Sequence, residues 1–353
     1  MFAKARNRIR MHATVSTAVP GAERAVEAAR NAKDSRDDRL FGWVLKGCAL
    51  IVLLSLVGAA GSTLWLGMDA FHTFGFGFLT SAAWDPSNDQ YGALVPIMGT
   101  VGTAFIALVF AVPVSFGIAL FLTEIAPQWL RGPVSSAIEL LAGIPSIIYG
   151  MWGLFIFAPF VAEHIKPWLM NNFSAEPPDG QVSWLVQHLP WIAKFFSSEY
   201  PFFGAGVLTA GLVLAVMIIP FISSVMREVF QTVPTRLKES AYALGSSTWE
   251  VVWDIVVPYT RTAVIGGVFL GLGRALGETM AVAFVLGNTF KLTPSILETG
   301  SSIASTIANQ FGEAQGLQRS ALMALAFLLF VVTFIVLLIA RLMLRRLATR
   351  EGK

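Results

Sequence analysis

The chain has 353 residues, 55% of them hydrophobic and 13% charged, with a net charge of +3 and a mean hydropathy of +0.66. A soluble domain carries about 25% charged residues, so this composition excludes an ordinary globular enzyme, a disordered chain and a nucleic-acid binder. One cysteine, Cys48, excludes an internal disulfide, and four scattered histidines without an HExxH or Cys/His cluster give no structural zinc site. What remains is an all-α, polytopic membrane protein.

Residues 1–39 form a basic arm that opens with Lys4, Arg6, Arg8 and Arg10. No apolar core precedes the first span, so the arm reads as a flexible, topology-fixing segment and not as a cleavable leader. A surface helix over 25–32 on anionic lipid is the weaker alternative. A bilayer core needs about 20 apolar helical residues, and six segments supply them within a membrane domain expected over 40–345. The first covers 47–68. The second covers 91–122 and contains Pro96 and Pro113, which predict tilt, a kink or a short preceding helix. The third covers 134–161 and carries Glu139 near its start, expected to snorkel or to pair with Arg131 or a partner subunit. The fourth, fifth and sixth cover 201–225, 262–287 and 320–342, and a short tail follows at 346–353.

Lys and Arg set the orientation. On one alternating side lie twenty of them, ten in the arm up to Lys46 and the rest in the 131, 226–261 and 341–353 segments. The other side holds four, with Lys166 and Lys194 in a long 162–200 loop, and Arg274 is left inside the membrane. Both termini are therefore expected to be cytoplasmic. Trp84, Trp168, Trp184 and Trp191 fall on the external side, where an interfacial belt and a docking surface are both open readings.

The 226–261 loop is too polar to cross a membrane, yet it is patterned. Pro234 can open a helix on which Leu237, Ala241 and Leu244 share a face. Gly245 ends that helix, Ser246 to Thr248 can cap the next, and Trp249, Val252, Trp253 and Val256 make a second apolar stripe before Pro258. An amphipathic loop lying on the membrane has the same signature. Glu239-Ser240-Ala241, Gly245 and Ile255-x-Val-Pro258 resemble the EAA loop of the permeases of binding-protein-dependent ABC importers, with Ser and Val as mild departures. The resemblance implies a type I importer permease fold whose loop seats on an ATPase subunit. The chain has no GxxxxGK[ST] loop of its own, so it is expected to bind no cofactor, with ATP and Mg in the partner.

In the fifth segment, Arg274 and Glu278 are spaced i, i+4 and are expected to share a helix face and pair. An intramembrane Arg is expensive and usually lines a path; a buried pair fixing helix register is the alternative. The guanidinium suits a tetrahedral oxyanion, and the carboxylate limits trapping, or donates to the anion if protonated. Gly267/Gly271 and Gly273/Gly277 read as close-packing seams. Pro145 in the third segment frees a backbone carbonyl that a hydroxyl of Ser146 or Tyr149 can satisfy; a kink and a substrate contact are both open there. The strings at 143–150, 273–282 and 305–314 are similar to the phosphate-specific (Pst) branch of the family, over roughly 40–345. The large external loop favours its other permease over the PstA-like one. That resemblance implies four partner types: a paired PstA-like permease, a PstB-like ATPase dimer, a PstS-like phosphate-binding protein outside, and a phosphate-sensing regulator. It carries the transport role onto Arg274, Glu278 and Thr279. A permease for sulfate or molybdate, and a phosphate-signalling scaffold with little flux, are the competing readings. An ion-driven carrier would need an inverted repeat, and an enzyme a nucleophile–base pair or metal cluster; none is visible.

Overall fold

The structure is a computed structural model. It describes residues 20–350 apart from 176, 178–179, 181–182 and 200–203. The basic cluster at 4–10, the expected start of the fourth span at 201 and the end of the tail at 351–353 lie outside the described residues. Among the described residues six helices are long and apolar enough to cross a membrane: Leu40–Leu66, Leu94–Ile125, Ser146–Phe173, Val207–Gln231, Thr248–Leu276 and Gly316–Arg346.

The chain divides into two compact units, Met1–Ser62 and Thr63–Lys353. Among the described residues of the first unit the chain forms the helix α1 (Pro20–Leu66), whose last turn belongs to the second. Within the expected arm, residues 20–39 are helical and continuous with the first span. The cause is local. Pro20 occupies the first helical position, and the stretch behind it is rich in Ala, Arg and Glu, all strong helix formers.

The second unit is organised around α5 (Val207–Gln231), the fourth span. Its apolar stretch is 67% buried, against 22–28% for the second, third, fifth and sixth spans. Val213, Leu214, Ile218, Ile222 and Met226 carry that core. The second span is α2 (Leu94–Leu120), closed by a π-helical turn at Phe121–Ile125. Pro113 sits inside it, while Pro96 falls in the first turn, where no intrahelical donor is lost. Ser115 Oγ donates to the Ile219 carbonyl, tying the second span to the fourth.

Two expected span boundaries are corrected. The third segment is split: α3 (Gln128–Ala142) is separate, and the span proper begins with α4 (Ser146–Trp152) and continues to Phe173. Residues 162–173, read as loop, thus belong to the helix, and Lys166 is buried in it. The fifth span starts earlier than expected. After the hairpin helices α6 (Thr235–Ala243) and α7 (Thr248–Val251), a π-helical turn at Val252–Val256 leads directly into α8 (Val257–Leu276). The Val257 amide reaches back to the Val252 carbonyl in this wider turn. The extra residue comes just before Pro258, whose ring would crowd a regular turn. Beyond α8 the chain breaks at 277–279 and resumes as α9 (Met280–Val285).

On the face opposite the hairpin, residues 68–91 and 288–310 form a cap. Strands β1 (Trp84–Asp85) and β2 (Gln90–Tyr91) pair antiparallel, Trp84 opposite Tyr91. Trp84 stacks on Phe290 at 5.1 Å and its indole donates to Gln310 Oε1, so this tryptophan is a packing residue. Trp168, Trp184 and Trp191 remain exposed. Burial pushes the Tyr91 hydroxyl up to about 12, with Asp89 beside it. Below the strands, Thr100, Ser301, Ser302, Ser305 and Thr306 are buried and bonded to one another or to backbone, with Thr100 Oγ1 accepting from the Ile303 amide. The helices α10 (Ile303–Gln310) and α11 (Gly316–Arg350) complete the unit.

Candidate functional site

Two places hold the residues singled out from the sequence. The first is the pair of breaks at 143–145 and 277–279. Pro145 has no amide hydrogen, so the Leu141 carbonyl, four residues back, lacks its α-helical donor and accepts from the Ile144 amide at 3.3 Å instead. The Tyr149 hydroxyl donates to that carbonyl at 3.0 Å, one turn into α4. Of the two hydroxyls expected to serve the break, Tyr149 does so and Ser146 opens the helix. Tyr149 is buried, and Gly150 beside it meets α9 backbone to backbone: a Cβ there would lie 3.0 Å from Ala281 Cα and 3.2 Å from the Met280 carbonyl. The two broken spans therefore cross at their breaks.

The second break changes the reading of the charged pair. α8 ends at Leu276, so Arg274 and Glu278 do not share a helix face, and no ion pair forms between them. The i, i+4 expectation is corrected. Helical geometry stops at Gly277, and the Glu278 carboxylate turns the other way, accepting from the Ala281 amide at 3.2 Å to cap α9. A carboxylate is favourable there because unpaired amides collect at a helix start. Thr279 takes the position just ahead of α9, with its own side chain uninvolved in the cap.

Arg274 stands apart. It is exposed on the surface of the chain. Its guanidinium lies over the Phe221 ring of α5, 5.7 Å from the centroid, and its charge acts on Tyr149. Among the described residues no hydrogen bond or ion pair ties it down, which leaves its fork of donors available. Depth follows from packing. Gly273 abuts Leu337. At about 1.5 Å per residue, the 277–279 break lies roughly one turn further along, level with the middle of the sixth span. A broken helix presenting an unpaired cation at mid-membrane is the arrangement from which ion and substrate pathways are built. Gly267 and Gly271 meet Val225 and Ile222 of α5, so that seam is packing, as its spacing predicts.

The second place is the 234–258 hairpin. Pro234 precedes α6, and Gly245 takes φ +89° to end it. The Ser246 amide bonds the Ala241 carbonyl and the Gly245 amide bonds the Tyr242 carbonyl, which closes the helix with two crossed turns. Ser247 then caps α7 reciprocally with Glu250. The expected helix–glycine–helix hairpin is present, although its second helix does not stop at Pro258. Glu239 and Ser240 are exposed and Ala241 is half-buried. Ser240 folds its hydroxyl onto the Arg236 carbonyl at 2.7 Å. The tip is apolar: Leu244 is 89% exposed and Trp249 70%.

Two ties anchor the hairpin side, and neither could be read from spacing. Lys238 Nζ meets Glu124 Oε1 at 2.5 Å, joining α6 to the end of the second span, and the Glu124 side chain is only 7% exposed. Arg227 meets Glu139 at 2.9 Å. Glu139 thus pairs with the fourth span. Arg131, its expected partner, instead donates from Nε to the Ala126 carbonyl. These pairs are 114 and 88 residues apart in the chain. Among the described residues no three His, Cys, Asp or Glu side chains converge on a metal site.

A bundle of membrane helices with a broken span and an exposed, capped hairpin defines a membrane-embedded transport subunit, and comparison with known proteins bears this out. The chain belongs to the family of binding-protein-dependent transport system inner membrane components, which matches it over residues 115–349. It is a multi-pass inner-membrane protein of a transport system and not an enzyme. More particularly, it is 57% identical to the phosphate transport system permease protein PstC of Xylella fastidiosa, over 96% of this chain and 99% of that one. It is 54% identical to the protein of the same name from Pasteurella multocida, over 89% and 93%. Among solved structures, a bacterial alginate ABC transporter in complex with its alginate pentasaccharide-bound periplasmic protein aligns with a TM-score of 0.54 at 18% identity, covering 89% and 97%. That likeness concerns the fold.

Proposed function

We propose that this chain is one of two permease subunits of an ATP-driven importer of inorganic phosphate. The observation that carries the reading is the near-complete, high-identity match to permeases named for phosphate transport. The unpaired Arg274 at the broken fifth span supports it, because a guanidinium fork fits a tetrahedral oxyanion. Both termini and the 234–258 hairpin face the cytoplasm, following the Lys/Arg asymmetry. The hairpin seats on an ATPase dimer, which binds ATP and Mg. Lys238–Glu124 and the continuous Thr248–Leu276 helix carry its movement to the second and fifth spans. The paired permease lies across the pathway from Arg274, a phosphate-binding protein delivers the anion from outside, and a phosphate-sensing regulator completes the set of partners.

The test is phosphate uptake by vesicles holding the co-purified complex and internal ATP, with and without Arg274→Gln. Uptake is expected to be lost while assembly and ATPase activity persist. Unchanged uptake would remove Arg274 from the pathway. Equal competition by sulfate would move the substrate to oxyanions in general.

A further inference from the structure

The fifth and sixth spans part on the hairpin side of Arg274 and leave a groove of about 400 Å³. Gly266, Phe269 and Leu270 line one wall, and Phe334, Leu338 and Arg341 the other. Every side chain lining it is apolar except Arg341, which lies towards the C-terminal end, one turn before Leu344. Among the described residues nothing pairs with Arg341, and Arg345 and Arg346 follow one turn on. From Arg341 to Phe334 is seven residues, about 10 Å of helix, against roughly 15 Å for half of a bilayer core.

We propose that this groove binds one acyl chain of an anionic phospholipid, with the lipid phosphate on Arg341. The chemistry selects this occupant. An apolar wall of that length offers nothing to a free inorganic anion, and a fixed guanidinium at the water end of a membrane groove complements a phosphodiester. Gly266 makes the room: no heavy atom of the chain lies within 4 Å of where its Cβ would be. The proposal does not depend on which anion is carried.

The experiment uses the intact complex in mild detergent, titrated with phosphatidylglycerol or phosphatidylcholine and counted by native mass spectrometry. The wild type is expected to prefer phosphatidylglycerol about fivefold, the effect of one basic side chain at a membrane surface. Arg341→Gln removes the preference and Arg341→Lys keeps most of it. Gly266→Leu fills the groove and lowers binding of both lipids, with an unchanged melting temperature as its control. Equal affinity of the wild type for the two lipids, or a preference that survives Arg341→Gln, would overturn the proposal. A photo-crosslinker at Leu338 should label lipid; labelling of the paired permease would show that protein fills the groove and would also overturn it.

Discussion

Residues 143–145 part α3 from the third span and residues 277–279 part α8 from α9; α4 and α9 touch at Gly150 and Ala281, and the chain finishes the two interruptions in different ways. At the first, a proline removes a donor, and the Ile144 amide and a buried tyrosine hydroxyl replace it, so the break is neutral and internally satisfied. At the second, a glycine ends the helix and a carboxylate caps the next piece, while the adjacent cation is left without a partner. The first break closes on itself; the second leaves a guanidinium with no ionic partner beside it. The adjoining helices press on each other, so the mended break also holds the charged one in place.

Three substitutions bear on that contrast. Gly150→Leu should have the largest effect, since its Cβ alone meets Ala281 Cα at 3.0 Å. Overpacking of this kind costs about 1–3 kcal/mol, and the melting temperature of the complex should fall accordingly. An unchanged value would mean that the two breaks do not support each other. Tyr149→Phe removes one donor from the Leu141 carbonyl, with the Ile144 amide remaining, and should cost at most about 1 kcal/mol in denaturant unfolding, with uptake falling only as stability does. Loss of uptake at full stability would give Tyr149 a place in the pathway. Glu278→Gln should be smallest in stability, within about 0.5 kcal/mol, because the amide oxygen still accepts from Ala281. Its uptake should nonetheless drop, and a stability loss as large as that of Tyr149→Phe would make the carboxylate structural.

Much of this was legible in the sequence where local chemistry decides the structure. Gly245 and Ser247 punctuate the hairpin through their own dihedrals and side chains, and the role of Pro145 follows from its missing hydrogen. The apolar spans follow from length alone. What escaped was set by tertiary contact or by competition between local options. The i, i+4 spacing of Arg274 and Glu278 assumes an unbroken helix. Glycine at 277 and the preference of a carboxylate for a free helix start decide otherwise. Glu139 finds Arg227 and Glu124 finds Lys238 because helices distant in sequence converge. Apolar length also misplaced the ends of the third and fifth spans, since α3 carries enough apolar residues to read as the start of a span and the hairpin's second stripe runs on into one.

The exposed tip of the hairpin has a consequence for the life of the chain before it joins a complex. Leu244 and Trp249 stand bare on a rigid, well-capped turn, so a copy made in excess of its partners displays an apolar flag in the aqueous compartment. Quality-control proteases and chaperones recognise such surfaces. If the hairpin seats on an ATPase as proposed, docking hides the same two side chains, and an undocked copy would leave them open to such recognition.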